Sequence, residues 1–207
     1  PSYIGAFAFI SAFGPRGRLQ DLLAPLGVDS LPSIYGFGGT VLVLTLYTYP
    51  YVFITTRAAL KTLDTTLIDA ARTLQHGKWE AFKRVTFPQI RPAIGAGALL
   101  VALYALSDFG TPQIMRYDVF TRVIFSAQKY DLDLAVLLSL QLVVVTLVIL
   151  AIESRVRGSG VQSEHPGRRS SPLRLGRLKV PAVLACLSIP TLALVVPLGI
   201  LGLWLVN

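Results

Sequence analysis

Charge is what this 207-residue chain has least of. Only 14% of its residues are Asp, Glu, Lys or Arg, while 53% are hydrophobic and the mean hydropathy is +0.62. A soluble domain gives about a quarter of its residues to charge, so the polar surface needed to wrap a water-soluble core is missing. The single cysteine, Cys186, excludes a disulfide scaffold. Two histidines, His76 and His165, have no ligand spaced beside them, so no metal site is expected. A phosphate loop of the form Gly, four residues, Gly-Lys-Ser/Thr is also missing, so this chain has no ATP-hydrolysing loop of its own. Acidic residues are scarce too, 11 against 19 Lys and Arg, which leaves a net charge of +8. Nucleic-acid binding would need those charges as a stripe on a soluble fold. Here they lie between long uncharged runs, so no nucleic-acid partner is expected. The composition is that of an integral membrane protein.

Five runs contain no Asp, Glu, Lys or Arg: residues 1–15, 30–56, 92–107, 134–152 and 180–207. A helix crossing a hydrocarbon layer about 30 Å thick needs about 20 residues. The expectation is an all-α multispan bundle with crossings at about 1–14, 37–56, 92–109, 134–152 and 180–207. Pro50 lies inside the second, and Pro190 and Pro197 would bend the fifth. Neither end carries a basic leader, a cleavage site or a polar tail, so the chain reads as a piece of a longer polypeptide.

Lys and Arg counts in the connections alternate. Residues 57–91 and 153–179 carry seven each, whereas 15–36 carry two and 108–133 carry three. The positive-inside rule places 57–91 and 153–179 in the cytoplasm of a multi-pass protein. Segment 153–179 is rich in Ser, Gly, Pro and Arg without apolar periodicity, which reads as a linker lying on anionic headgroups. Segment 57–91 differs. Leu60, Leu63, Leu67, Ala71 and Leu74 share one helical face, and Gln75-His76-Gly77 interrupts it. A second short helix with Trp79, Phe82 and Val85 on one face is expected to stop at Pro88, with Pro92 in the first turn of the next span. Two readings stand for this helix–turn–helix: a plain interfacial connector, or a docking surface that Ala70-Ala71 opens to close backbone approach.

At this segment the sequence resembles the permease subunits of binding-protein-dependent ABC importers. Their cytoplasmic signature is Glu-Ala-Ala, three residues, Gly, nine residues, then Ile-x-Leu-Pro. Asp69-Ala70-Ala71 opens the pattern here and Val85-Thr86-Phe87-Pro88 closes it in register. Asp69 stands for the usual Glu and Gln75 for the usual Gly, with Gly77 two residues later. Tyr49-Pro50-Tyr51, Arg57-Ala58-Ala59-Leu60 and Arg91-Pro92 extend the likeness. Leu106-Ser107-Asp108-Phe109-Gly110 and Tyr117-Asp118-Val119-Phe120-Thr121 resemble the ferric-iron branch, in which two permease halves are often fused. That would make 1–152 part of the first half, 153–179 the inter-half linker and 180–207 the first span of the second.

The resemblance implies an inner-membrane permease of a prokaryotic cell, taking ferric iron from an external binding protein. It also implies separate ATP-binding cassette subunits docked on Asp69, Ala70, Ala71, Arg72, Gly77 and Pro88. The chain would bind no cofactor, and ATP would be used by the partner subunits. A ferric path favours oxygen ligands, which brings forward Tyr104, Ser107, Asp108, Tyr117 and Asp118. Asp108, placed at the outer edge of the third span, has a second reading as an acid pairing with Arg116 or capping a loop. Tyr104 and Ser107 face either a polar path or neighbouring helices. Gly95 and Gly97 read as helix-packing positions, and Cys186 as a small packing residue. Other solutes of the same family, such as phosphonate, thiamine, sulfate or a polyamine, remain alternatives. A membrane-embedded enzyme would need His or carboxylate clusters inside the spans, and residues 38–56, 92–107 and 134–152 contain none. A secondary transporter would need more intramembrane ionisable groups.

Overall fold

The computed structural model describes residues 2–15, 17, 20, 33–63, 77–157 and 179–206. Every regular element among them is a helix, the structure that satisfies its own backbone where water is absent. In chain order they are α1 (Ser2–Phe13), α2 (Phe37–Thr62), α3 (Lys78–Ala81, Phe82–Thr86 and Phe87–Ser107 in succession), α4 (Gly110–Ile114), α5 (Phe120–Ala127), α6 (Leu132–Arg157) and α7 (Lys179–Pro190, Thr191–Val195 and Val196–Val206 in succession). Four of these, α2, α3, α6 and α7, are long and apolar enough to cross a membrane. The first expected crossing, 1–14, holds the apolar helix α1 of 12 residues, about 18 Å of helix.

The prolines correct the sequence reading. Pro88 does not stop a short helix, and Pro92 does not open the next one. Both lie inside α3, which begins at Lys78 and runs through to Ser107. Its second stretch, Phe82–Thr86, is π-helical, and the Phe87 N–H bonds to the Phe82 carbonyl, one residue wider than an α-helical bond. Proline lacks the N–H that would close the next α-turn, so the wider turn just ahead of Pro88 takes up the irregularity. The same device recurs in α7, where the π-helical stretch Thr191–Val195 sits between Pro190 and Pro197. Pro197 leaves the Ala193 carbonyl without its α-helical donor, and Tyr47 Oη donates to that oxygen at 3.1 Å.

The chain divides into two compact units. One comprises Pro1–Thr48, Ala105–Leu142 and Leu175–Asn207, and the other Tyr49–Tyr104 and Val143–Arg174. In the first, α1 is packed on two sides. Ala6 and Phe9 are buried with Val43 and Met115, while Ala8 and Ala12 meet Ile200. Gly5 lies against the Tyr47 ring, where a Cβ would overlap it. With Gly5 beside Tyr47 and Phe9 beside Val43, α1 runs antiparallel to the first half of α2. In the second unit, Gly97 of α3 lies on Val52 and Thr55 of α2, the close approach expected of this glycine. Along α6 most large apolar side chains are exposed, among them Leu137, Leu140, Val144 and Leu147, as suits a helix facing lipid. Residues 64–76, and 158–178 of the expected linker, lie outside the described residues.

Candidate functional site

Asp108 follows the last residue of α3, at a break in the helix. Its Oδ1 accepts from the backbone N–H of Gly110 at 3.1 Å and of Thr111 at 3.4 Å. Its Oδ2 accepts from Ser2 Oγ at 3.1 Å, and Thr121 Oγ1 donates to its backbone carbonyl at 3.0 Å. One residue thus joins α1, α4 and α5. The Ser2 end of α1 lies about one turn past Gly5, which sits at Tyr47, ten residues or about 15 Å along α2 from Phe37. Asp108 follows directly on Ser107, where the membrane-length stretch of α3 ends. A carboxylate bordering a membrane span is held by donors, and three are in place.

Of the two readings open for Asp108, the loop-capping geometry is present. Arg116 is not part of it: its guanidinium carbon lies 4.8 Å from the Tyr35 ring centre. Asp108→Ala should leave two backbone N–H groups and the Ser2 hydroxyl without their acceptor and cost about 1–2 kcal/mol. Asp108→Asn keeps an oxygen on the loop and should unfold close to the wild type. Thermal unfolding of the two variants in detergent checks this, and equal losses would contradict the capping role.

The other expected path residues are placed as follows. Ser107 is exposed at the end of α3. Tyr104, in the second unit, is half-buried and its ring lies 6.2 Å from that of Tyr51. Tyr117 packs on Phe37 with ring centres 5.6 Å apart, and Asp118 pairs with Arg122 at 2.6 Å. Sequence reasoning missed Ser2, Thr111 and Thr121 as partners of this break. Thr111 is fully buried, and its Oγ1 has no partner among the described residues. No local pattern marks them, because Ser2 and Asp108 are 106 residues apart. Among the described residues no three His, Cys, Asp or Glu side chains gather as a metal site. Cys186, expected to pack, is exposed on α7.

At the opposite end of α3, Asp69, Ala70, Ala71 and Arg72 lie outside the described residues. Gly77 is exposed with open space around it, and its carbonyl accepts from Ala81 N–H at 3.0 Å, which starts the helix. Its backbone is not left-handed. Trp79 is 67% exposed and stacks on Phe82 at 5.6 Å. Lys83 Nζ lies 5.1 Å over the Trp79 ring, and Arg84 pairs with Glu80 at 2.8 Å. The 29 residues from Trp79 to Ser107 make about 43 Å of helix against a hydrocarbon layer of about 30 Å. Arg57 on α2 and Arg91 on α3 mark the boundary, so the aromatic start of α3 projects beyond it.

Residues 1–157 match the family described as "Binding-protein-dependent transport system inner membrane component". The chain belongs to this family. The family is one of transport permease subunits, and with four apolar helices of membrane-spanning length the chain is a multi-pass inner-membrane protein. Over 126 residues it is 35% identical to the Fe(3+)-transport system permease protein FbpB 2 of Haemophilus influenzae, covering 59% of this chain and 24% of that one. It is 27% identical over 139 residues to the ferric transport system permease protein FbpB of Actinobacillus pleuropneumoniae, covering 65% and 20%. Over 163 residues it is 31% identical to the molybdenum transport system permease protein ModB of Mycobacterium bovis, covering 75% and 60%. The permease thus spans about a quarter or less of the length of these ferric relatives.

Proposed function

We propose that this permease forms one half of the membrane path of an ATP-driven importer for ferric iron. The observation that carries the solute is the 35% identity to the Fe(3+)-transport permease of Haemophilus influenzae. An external binding protein presents the solute, and separate ATPase subunits dock at the cytoplasmic loop on Asp69, Ala70, Ala71, Arg72, Gly77 and Pro88. Their closure on ATP pushes that loop and rocks the spans, a push that works only if the two states differ in contact energy there. Tyr104, Ser107 and Asp108 border the path at the outer end of α3, and their oxygens suit a hard cation.

A molybdate path is the second reading, favoured by the 31% identity to ModB over three quarters of this chain. Uptake separates the two. Cells lacking the protein should lose accumulation of radiolabelled ferric iron to background and keep that of molybdate, and the reverse result transfers the assignment to the oxyanion. In complemented cells Asp108→Asn should lower iron uptake while ATPase subunits still co-purify. Unchanged uptake in that variant would return Asp108 to a purely structural role.

A further inference from the structure

Near the Phe37 end of α2, the first unit holds an open cavity of about 480 Å³, within the range of small-molecule sites. Its walls are mostly apolar: Phe9 and Phe13 of α1, Ile34 and Tyr35 ahead of α2, Leu42 of α2 and Leu192 of α7. Ser33, Gly38 and Gly39 complete the wall, and a Cβ built on Gly38 would meet nothing within 4 Å. The glycine leaves the space empty without any backbone demand, since Gly36, at φ +91°, is the positive-φ glycine among the described residues. Such a lining suits neither a bare metal ion nor an oxyanion, so the cavity is not a station for the transported solute.

Tyr35 connects this wall to a cation. The Arg116 guanidinium stacks over the Tyr35 ring at 4.8 Å, and Arg116 is exposed. Among the described residues it has no carboxylate partner, whereas Arg84 and Arg122 each have one. Its backbone is at φ +54°, the one non-glycine positive φ among the described residues, a conformation that costs about 1–3 kcal/mol unless the surroundings hold it. They do: Gly36 N–H bonds to the Met115 carbonyl at 2.8 Å, and Tyr117 N–H bonds to the Pro112 carbonyl at 3.0 Å. The aromatic pair Phe37–Tyr117 lies beside it, as aromatic side chains do at headgroup level. A guanidinium held in place above an apolar cavity, without a carboxylate partner among the described residues, has the polarity of an amphiphile with an anionic head.

We propose that the cavity and Arg116 form a phospholipid site in the leaflet at the Phe37 end of α2. One acyl chain fills the cavity between α1 and α2, and the phosphate takes the guanidinium through paired N–H···O bonds. The partner is the membrane's own lipid, so the site is independent of which solute the permease carries.

Native mass spectrometry of the full chain released from detergent tests this with three probes: phosphatidylglycerol, the matching diacylglycerol, and glycerol phosphate. Wild type should retain one phosphatidylglycerol and no glycerol phosphate. Arg116→Gln should weaken phosphatidylglycerol at least about tenfold, the scale of one charge-assisted contact, and leave diacylglycerol unchanged. Gly38→Leu, which grows into empty space, should remove both lipids with no fall in melting temperature. Equal phosphatidylglycerol retention by wild type and the two variants overturns the proposal. Loss of that lipid on assembly of the complete transporter also overturns it and assigns the cavity to a neighbouring polypeptide. The readout is lipid retention, so a failed iron-uptake experiment leaves this result standing, and the converse holds.

Discussion

Gly97→Leu is expected to separate α3 from α2 and abolish transport by the assembled importer. A Cβ on Gly97 would stand 2.6 Å from both Val52 Cα and Thr55 Oγ1, and 3.1 Å from the Tyr51 carbonyl. Two of those three atoms are backbone, so no side-chain rotation relieves the clash. Thr55 is itself committed, donating to the Tyr51 carbonyl at 2.9 Å and the Val52 carbonyl at 3.1 Å. Even Gly97→Ala must push the helices apart by about 1 Å to restore ordinary contact, at a cost of about 1–3 kcal/mol. Leucine requires a gap the width of a side chain. In a bilayer that loss is not recovered by hydrophobic burial elsewhere, because helix association there depends on close packing at small residues. Gly199 of α7 is the control: a Cβ there meets nothing within 4 Å, and Gly199→Ala should be neutral or gain about 0.5–1 kcal/mol. Denaturation in mixed micelles, with uptake in cells, reads the series. A Gly97→Leu protein that unfolds and transports like wild type would show that this contact joins nothing.

The long spans were legible because each requirement is local. A charge-free run of sufficient length predicts α2, α6 and α7, and Arg57 shows where α2 leaves the hydrocarbon. Gly97 was legible for the same reason, as a small residue near the inner end of a span. Other features needed tertiary partners. Pro88 and Pro92 look like helix boundaries, since proline removes an α-helical hydrogen bond. Nothing in the adjacent residues announces that a π-helical turn at Phe82–Thr86 will absorb the defect. Asp108 looked like a boundary acid because Phe109-Gly110 follows it and the apolar run ends there. Its hydrogen-bond partner Ser2 lies 106 residues away in the chain. The cavity at Gly38 is likewise invisible locally, because a glycine in the first turn of a helix carries no sign of the empty space beside it.

Charge reversal at Asp69 should uncouple the importer completely. In the family pattern this position carries a Glu, so a negative side chain is what the docking proposal needs there. Asp69→Arg puts a cation where a partner's basic group is expected, and like-charge juxtaposition at an interface costs several kcal/mol. A loss of about 3 kcal/mol already lowers association about a hundredfold, so ATPase subunits should no longer co-purify and uptake should fall to background. Asp69→Glu, which restores the usual family residue, should assemble and transport at or near the wild-type level. The aromatic start of α3 supplies an independent arm, because Trp79 projects beyond the hydrocarbon only ten residues further on, stacked on Phe82 and covered by Lys83. Trp79→Ala should weaken the same association by about 1–3 kcal/mol if the ring is buried by the partner, as truncated interface aromatics do, while leaving the melting temperature of the isolated permease unchanged. If Asp69→Arg retains both its ATPase subunits and its uptake, segment 57–91 is a plain interfacial connector and coupling must lie elsewhere on the cytoplasmic face.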